Sequence, residues 1–237
     1  MSGGRPMIDL DRVFDRSGTV RPPPPAMLAR EWAALLFDHP PPPDPAAFPP
    51  GGGHSVLVIP AFLTGDVITA PLRRFLDRCG YRARGWGLGV NWGPTPEAVA
   101  GLRRRLSDLR AVAGGPVSLI GFSMGGLMAR YLAAERPADV RMVITLGSPF
   151  RLPTASSIEP LVRLFAPRFS AEIDPARLAD PLPVPAVAIY TMDDGIVAWE
   201  SCADPGGGVA VPGAHVTLCR NPHALAAVAR ALGGAAE

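Results

Sequence analysis

From Ser55 onward the chain alternates short continuous apolar runs with longer amphipathic stretches. The runs over 55–59, 117–120, 140–146 and 185–191 are too short for helices and apolar at successive positions. Each therefore predicts a strand buried on both faces. Between them, 70–79 sets Leu72, Phe75 and Leu76 on one side, and Gly80 stops it. The stretch 97–111 does the same with Val99, Leu102, Leu106 and Leu109. Leu127, Met128, Tyr131 and Leu132 keep helical spacing after Ser123, and 221–232 reads as a closing helix. Residues 81–91 predict a second short strand and a glycine-rich turn, and 208–211 a last short strand. Strands that alternate with helices and are apolar on both faces predict a mostly parallel sheet covered on both sides, an α/β architecture.

Two regions break this rhythm. Residues 1–53 form a leader with proline runs at 22–25 and 40–43, which favour extended backbone and exclude helix interiors. Between the runs, 27–37 predicts a short helix whose Leu28, Trp32, Leu35 and Leu36 share a face, expected to pack on the body of the domain at 54–237. The second break, about 148–184, is studded with prolines and holds one predicted helix over 158–165. An insertion there would lie over the carboxyl edge of the sheet as a small cap. Leu63, Phe150, Leu161 and Phe165 are then the expected walls of an apolar pocket, with Phe169 nearby.

Composition narrows the chemistry. The 237 residues carry a net charge of +2, and every basic residue is Arg. There is no basic run of nucleic-acid type, and the absence of Lys excludes Schiff-base and Ser-Lys mechanisms. The cysteines, Cys79, Cys202 and Cys219, have no metal-type spacing, so no metal or organic cofactor is expected. Cys202 and Cys219 flank the loop of His215 and could pair in an exported protein. No stretch approaches membrane-spanning length and the N-terminal region shows no signal-type apolar core, so a cytoplasmic location is expected.

The organising stretch is Gly121-Phe122-Ser123-Met124-Gly125, set between a buried strand and a helix. It fits G-x-S-x-G, in which a serine sits on a strained strand-to-helix turn and glycines admit close neighbours. A serine hydroxyl needs a base within hydrogen-bond reach, and the base needs an orienting acid. Of the four histidines, His39 and His54 are poorly placed, and His223 reads as a surface or capping residue near a helix start. His215 follows the last strand and can reach the sheet edge, so it is the expected base. Asp193 and Asp194 both end a strand between serine and histidine; Asp194 is preferred and Asp193 held in reserve. Backbone N–H groups of Met124 and Phe62 are the expected oxyanion donors.

The segments I-P-A-F-L-T-G-D, G-F-S-M-G-G-L-M-A-R, I-T-L-G-S-P-F, D-D-G-I-V and G-A-H-V-T-L-C-R-N-P resemble the lipase/esterase-like α/β-hydrolases over about residues 55–232. The resemblance implies the α/β-hydrolase fold, with Ser123 as nucleophile, Asp194 as acid, His215 as base and Phe62 at the oxyanion position. Pro60-Ala61 departs from the usual H-G or P-G before that position. The expected activity is hydrolysis of carboxylic, lipid-like or small-molecule esters. An acyltransferase or thioesterase would use the same triad, and a non-catalytic binding module on this fold would be expected to lose a member of it.

Overall fold

A computed structural model describes residues 10–204 and 208–234; of the leader expected over 1–53, residues 1–9 lie outside them. The core is a six-stranded sheet in the order β2-β1-β3-β4-β5-β6, and all five pairings are parallel. Its strands are β1 (Ser55–Ile59), β2 (Arg82–Gly85), β3 (Val117–Phe122), β4 (Val140–Leu146), β5 (Ala186–Tyr190) and β6 (Gly208–Ala210). The helices are α1 (Pro25–Phe37), α2 (Ala70–Arg78), α3 (Pro96–Ala113), α4 (Met124–Glu135), α5 (Glu159–Phe165) and α6 (Pro222–Gly234).

The period-two geometry of strands splits the apolar runs between two layers. Val56, Val58, Ile120, Phe122, Ile144 and Leu146 face α2 and α6, meeting Leu72, Phe75, Leu76, Leu225 and Val228. Leu57, Ile59, Leu119 and Val143 face α3 and α4, meeting Leu102, Leu106, Met128 and Leu132. This is why runs of largely apolar successive positions mark a strand here: both faces are covered, and the polar residues within them, such as Ser118, are buried too. The second strand is narrower than the 81–91 stretch, ending at Gly85 where Asp66 accepts from the Trp86 and Gly87 N–H groups.

Helix α1 forms where the spacing predicts it, with its expected face only partly turned inward: Leu28 and Leu35 are half-buried. Trp32 and Leu36 are 62% and 66% exposed, while Glu31, at 2%, is the buried residue of the helix. The surface beneath α1 consists of loop backbone N–H groups, which a carboxylate satisfies and an apolar side chain does not. The cap is short: α5 is followed by single 3₁₀ turns at Ala166–Arg168 and Pro175–Ala179. Among the described residues no helix is long and apolar enough to cross a membrane.

The elbow is the tightest packing in the fold. A Cβ on Gly121 would lie 2.2 Å from Gly126 Cα, one on Gly125 2.4 Å from the Ile59 carbonyl oxygen, and one on Gly126 2.0 Å from Ser148 Oγ. Where backbone meets backbone, nothing can give way. Gly125→Ala is therefore expected to destabilise the protein by about 2–4 kcal/mol, read as a lower denaturant midpoint at unchanged slope.

Candidate active site

The carboxyl ends of β1, β3, β4 and β5, together with the loop after β6, converge on one edge of the sheet. Ser123 stands at the end of β3 with φ 52° and ψ −121°, a left-handed backbone that costs a non-glycine residue about 1–3 kcal/mol. It is held there by its N–H donating to the Leu146 carbonyl at 2.7 Å and its own carbonyl accepting from Gly126 N–H at 2.9 Å. Its side chain faces a cavity at the N-terminus of α4.

His215 lies in the loop after β6, 3% exposed, with Nδ1 2.5 Å from Asp194 Oδ2. The other Asp194 oxygen accepts from the N–H groups of Ile196 and Val197, both at 2.8 Å. The ring leans on Phe122, the residue before Ser123, with centroids 5.3 Å apart. It also lies flush on Gly147 at the end of β4, where a Cβ would come within 2.9 Å of Nδ1. Burial acts to lower the His215 pKa, but the Asp194 charge, its hydrogen bond and the Glu31 charge together raise it above the ordinary value. The structure thus brings Asp194 onto His215, and His215 beside the elbow. Asp193 is exposed, its N–H bonded to Thr191 Oγ1, and does not face the ring.

The other histidines lie apart from this edge. His54 Nε2 pairs with Ser118 Oγ at the opposite end of the sheet, and burial first, then Arg141, lowers its pKa. His39 is exposed against the Leu36 carbonyl. His223 is exposed at the start of α6, where Asn221 Oδ1 accepts from its N–H. All three cysteines are free and buried, and burial raises the thiol pKa of Cys202 and Cys219. Among the described residues no group of His, Cys, Asp or Glu is arranged as a metal site.

The turn after β1 carries Phe62 and the positive-φ Leu63, φ 58°. Asn91, fully buried, holds it with three bonds: its N–H donates to Thr64 O, its carbonyl accepts from Leu63 N–H, and its Nδ2 donates to Pro60 O; its Oδ1 accepts from Gly93 N–H within its own loop. Sequence reasoning passed over Asn91, because an asparagine in a glycine-rich stretch reads as an ordinary turn residue. It also missed Asn221, which caps α6 and ties the His215 loop through the Pro212 carbonyl.

A cavity of about 850 Å³, counting its open mouth, adjoins Ser123 and runs beneath the cap. Phe62, Met124, Leu127, Val162, Phe169 and Leu178 line it, and the leader adds Leu10, Val13 and Phe14. Among the described residues none of its lining side chains is charged. Leu63, Phe150, Leu161 and Phe165, expected as its walls, are not among the lining. Phe150 is buried in a separate cluster with its ring under the Arg130 guanidinium, 4.2 Å from centroid. Leu161 is on the outer side of α5, which turns Val162 inward. Phe165 stacks on Trp92 and meets Phe62 edge to face, and Leu63 joins the same cluster.

Two outcomes follow for any reaction that uses this edge. Asn91→Ala removes the side-chain bond to the Pro60 carbonyl of the turn and the one from Gly93 N–H, and is expected to lower kcat by about 10- to 100-fold with little change in melting temperature, read in steady-state kinetics. A raised His215 pKa must be titrated before the imidazole can act as base. The acid limb of kcat/KM is therefore expected above the usual imidazole value of about 6.5, with activity lost as pH falls through it.

An α/β-hydrolase fold family model matches residues 103–184, which span the elbow and most of the cap. No curated protein matches the chain by sequence. Among solved structures, the pyrethroid hydrolase PytH is 19% identical, TM-score 0.51, over 74% of this chain and 95% of that one. The thioesterase domain from the curacin biosynthetic pathway is 16% identical, TM-score 0.51, over 77% and 92%. Est1E from Butyrivibrio proteoclasticus is 16% identical, TM-score 0.54, over 79% and 89%. At these identities what is shared is the fold, and with its parallel sheet, elbow and cap in place this chain is an α/β-hydrolase by fold.

Proposed function

We propose that the protein hydrolyses uncharged carboxylic esters with an apolar acyl group, through Ser123, His215 and Asp194. The observation that carries this reading is the buried Asp194–His215 hydrogen bond set beside a strained serine at the mouth of an apolar cavity.

His215 Nε2 takes the proton from Ser123 Oγ as the oxygen bonds to the acyl carbon. Negative charge collects on the former carbonyl oxygen, for which the backbone N–H groups of Met124 and Phe62 are the proposed donors. Collapse breaks the ester C–O bond, and His215 returns the proton to the departing alcohol. Water then repeats the sequence on the acyl-enzyme, regenerating Ser123 and releasing the acid. Asp194 holds the ring in the tautomer that leaves Nε2 free, and its own bonds from Ile196 and Val197 keep it in place. The uncharged lining favours an acyl chain over a dicarboxylate or phosphorylated substrate, because an unpaired charge there would have no counter-ion.

Labelling with a fluorophosphonate, followed by an ester series of increasing acyl length, tests the reading. Wild type is expected to label, and Ser123→Ala and His215→Ala to lose the label, with Ser123→Ala turnover reduced at least about 10³-fold. Folded wild type that neither labels nor turns over any ester in the series would sink the proposal. Products analysed with added alcohol separate hydrolysis from acyl transfer.

A further inference from the structure

The leader helix α1 sits on the far side of the two loops that carry Asp194 and His215. Its Glu31 is buried, and each carboxylate oxygen is used. Oε1 accepts from Gly195 N–H at 2.8 Å and from His215 N–H at 2.9 Å; Oε2 accepts from Val216 N–H at 2.9 Å. One side chain therefore binds the backbone next to Asp194 and the backbone of His215 itself, joining loops that enter the edge from different strands. The fit is close: a Cβ on Gly195 would lie 2.6 Å from the Met27 carbonyl oxygen and 2.7 Å from Glu31 Cγ. At the other end of α1, Arg220 Nη2 donates to the carbonyls of Ala34 and Leu35, both at 2.8 Å, and so ties the helix C-terminus to the chain just beyond the His215 loop.

We propose that Glu31 is a positioning residue for the reaction, a clamp supplied by the leader that holds the Asp194 and His215 loops in mutual register. The inference rests on the reading of Ser123, His215 and Asp194 as a hydrolytic triad. Three backbone N–H groups share the one Glu31 carboxyl group, and a buried donor left without its acceptor is costly. Trp32, Leu36 and Phe37 of α1 face outward, while Met27, Leu28 and Leu35 are half-buried beside Glu31.

The clamp also has an electrostatic consequence at the ring. Two carboxylates face His215, Asp194 from the loop after β5 and Glu31 from α1, and both favour its protonated form. From the remaining neighbours come the Phe122 ring and the Gly147 backbone, which carry no charge. The Cys202 thiol near Asp194 is held protonated by burial, and Arg220 spends its guanidinium on the carbonyl end of α1.

The deciding variant is Glu31→Gln, which keeps the shape but removes the charge and sets an amide NH₂ against one of the three N–H donors. Fluorophosphonate labelling across pH is measured for wild type and variant, with near-ultraviolet circular dichroism as the folding control. Labelling is expected to slow by about 10- to 100-fold. The acid limb is expected to move to lower pH, because the ring loses a charge that favours imidazolium; loosened packing alone has no reason to move it that way. A folded variant with the wild-type rate and limb overturns the clamp while leaving the triad reading intact. Wild type that does not label removes the triad reading instead. Hydrogen exchange on wild type decides independently of how the variant folds. The N–H groups of Gly195, His215 and Val216 are expected to be protected like those of the central strands, and exchange at exposed-loop rates overturns the proposal.

Discussion

The structure depends on one steric constraint: β3 must pass into α4 with no side-chain thickness between the turn and its neighbours. Gly121, Gly125 and Gly126 touch backbone or Ser148 at distances that exclude a Cβ. That contact lets Ser123 project at the sheet edge in a backbone conformation it would not otherwise hold. It also sets α4 against the end of β1, where a Cβ on Gly125 would meet the Ile59 and Pro60 carbonyls. The strain at Ser123 is borne by the most deeply buried strands of the fold, where the surrounding contacts over-determine it.

Around this fixed point the remaining groups arrive on loops, which have no rigidity of their own. Each is immobilised by a buried polar group whose hydrogen bonds are met. Asn91 braces the Phe62 turn, Asp194 closes its own loop as well as meeting His215, and Glu31 joins the Asp194 and His215 loops. Buried polar groups are costly unless satisfied, and when satisfied they specify geometry more sharply than apolar packing does. The polar groups that brace these loops thus cluster at the sheet edge, while the strand interiors are mostly apolar.

The cavity is a joint product of distant segments. The cap provides Val162 and Phe169, the elbow helix Met124 and Leu127, and the leader Leu10, Val13 and Phe14. A parallel bridge between Phe14 and Thr154 ties the leader to the start of the cap. The proline-rich leader thus contacts the site twice, as a wall of the cavity through Phe14 and as a support of the loops through Glu31.

What the sequence by itself determined follows from local rules. Continuous apolar runs named β1, β3, β4 and β5, helical spacing named the inward residues of α2 and α3, and chain order pointed to Ser123, Asp194 and His215. The strand and helix readings hold because a strand covered on both faces and an amphipathic helix are constrained within a few residues of chain. Tertiary structure decided whatever rests on partners far away in sequence. Helical periodicity located α1 but could not say which side would be buried, because the surface it meets consists of loop N–H groups that exist only after folding. Cap composition pointed to an apolar pocket, yet the rotation of α5 and the burial of Phe150 under Arg130 chose different residues to line it. Glu31 in a leader and Asn91 in a turn have no local signal of their roles. Each acts through backbone atoms tens to nearly two hundred positions distant, and only the folded chain brings those atoms within reach.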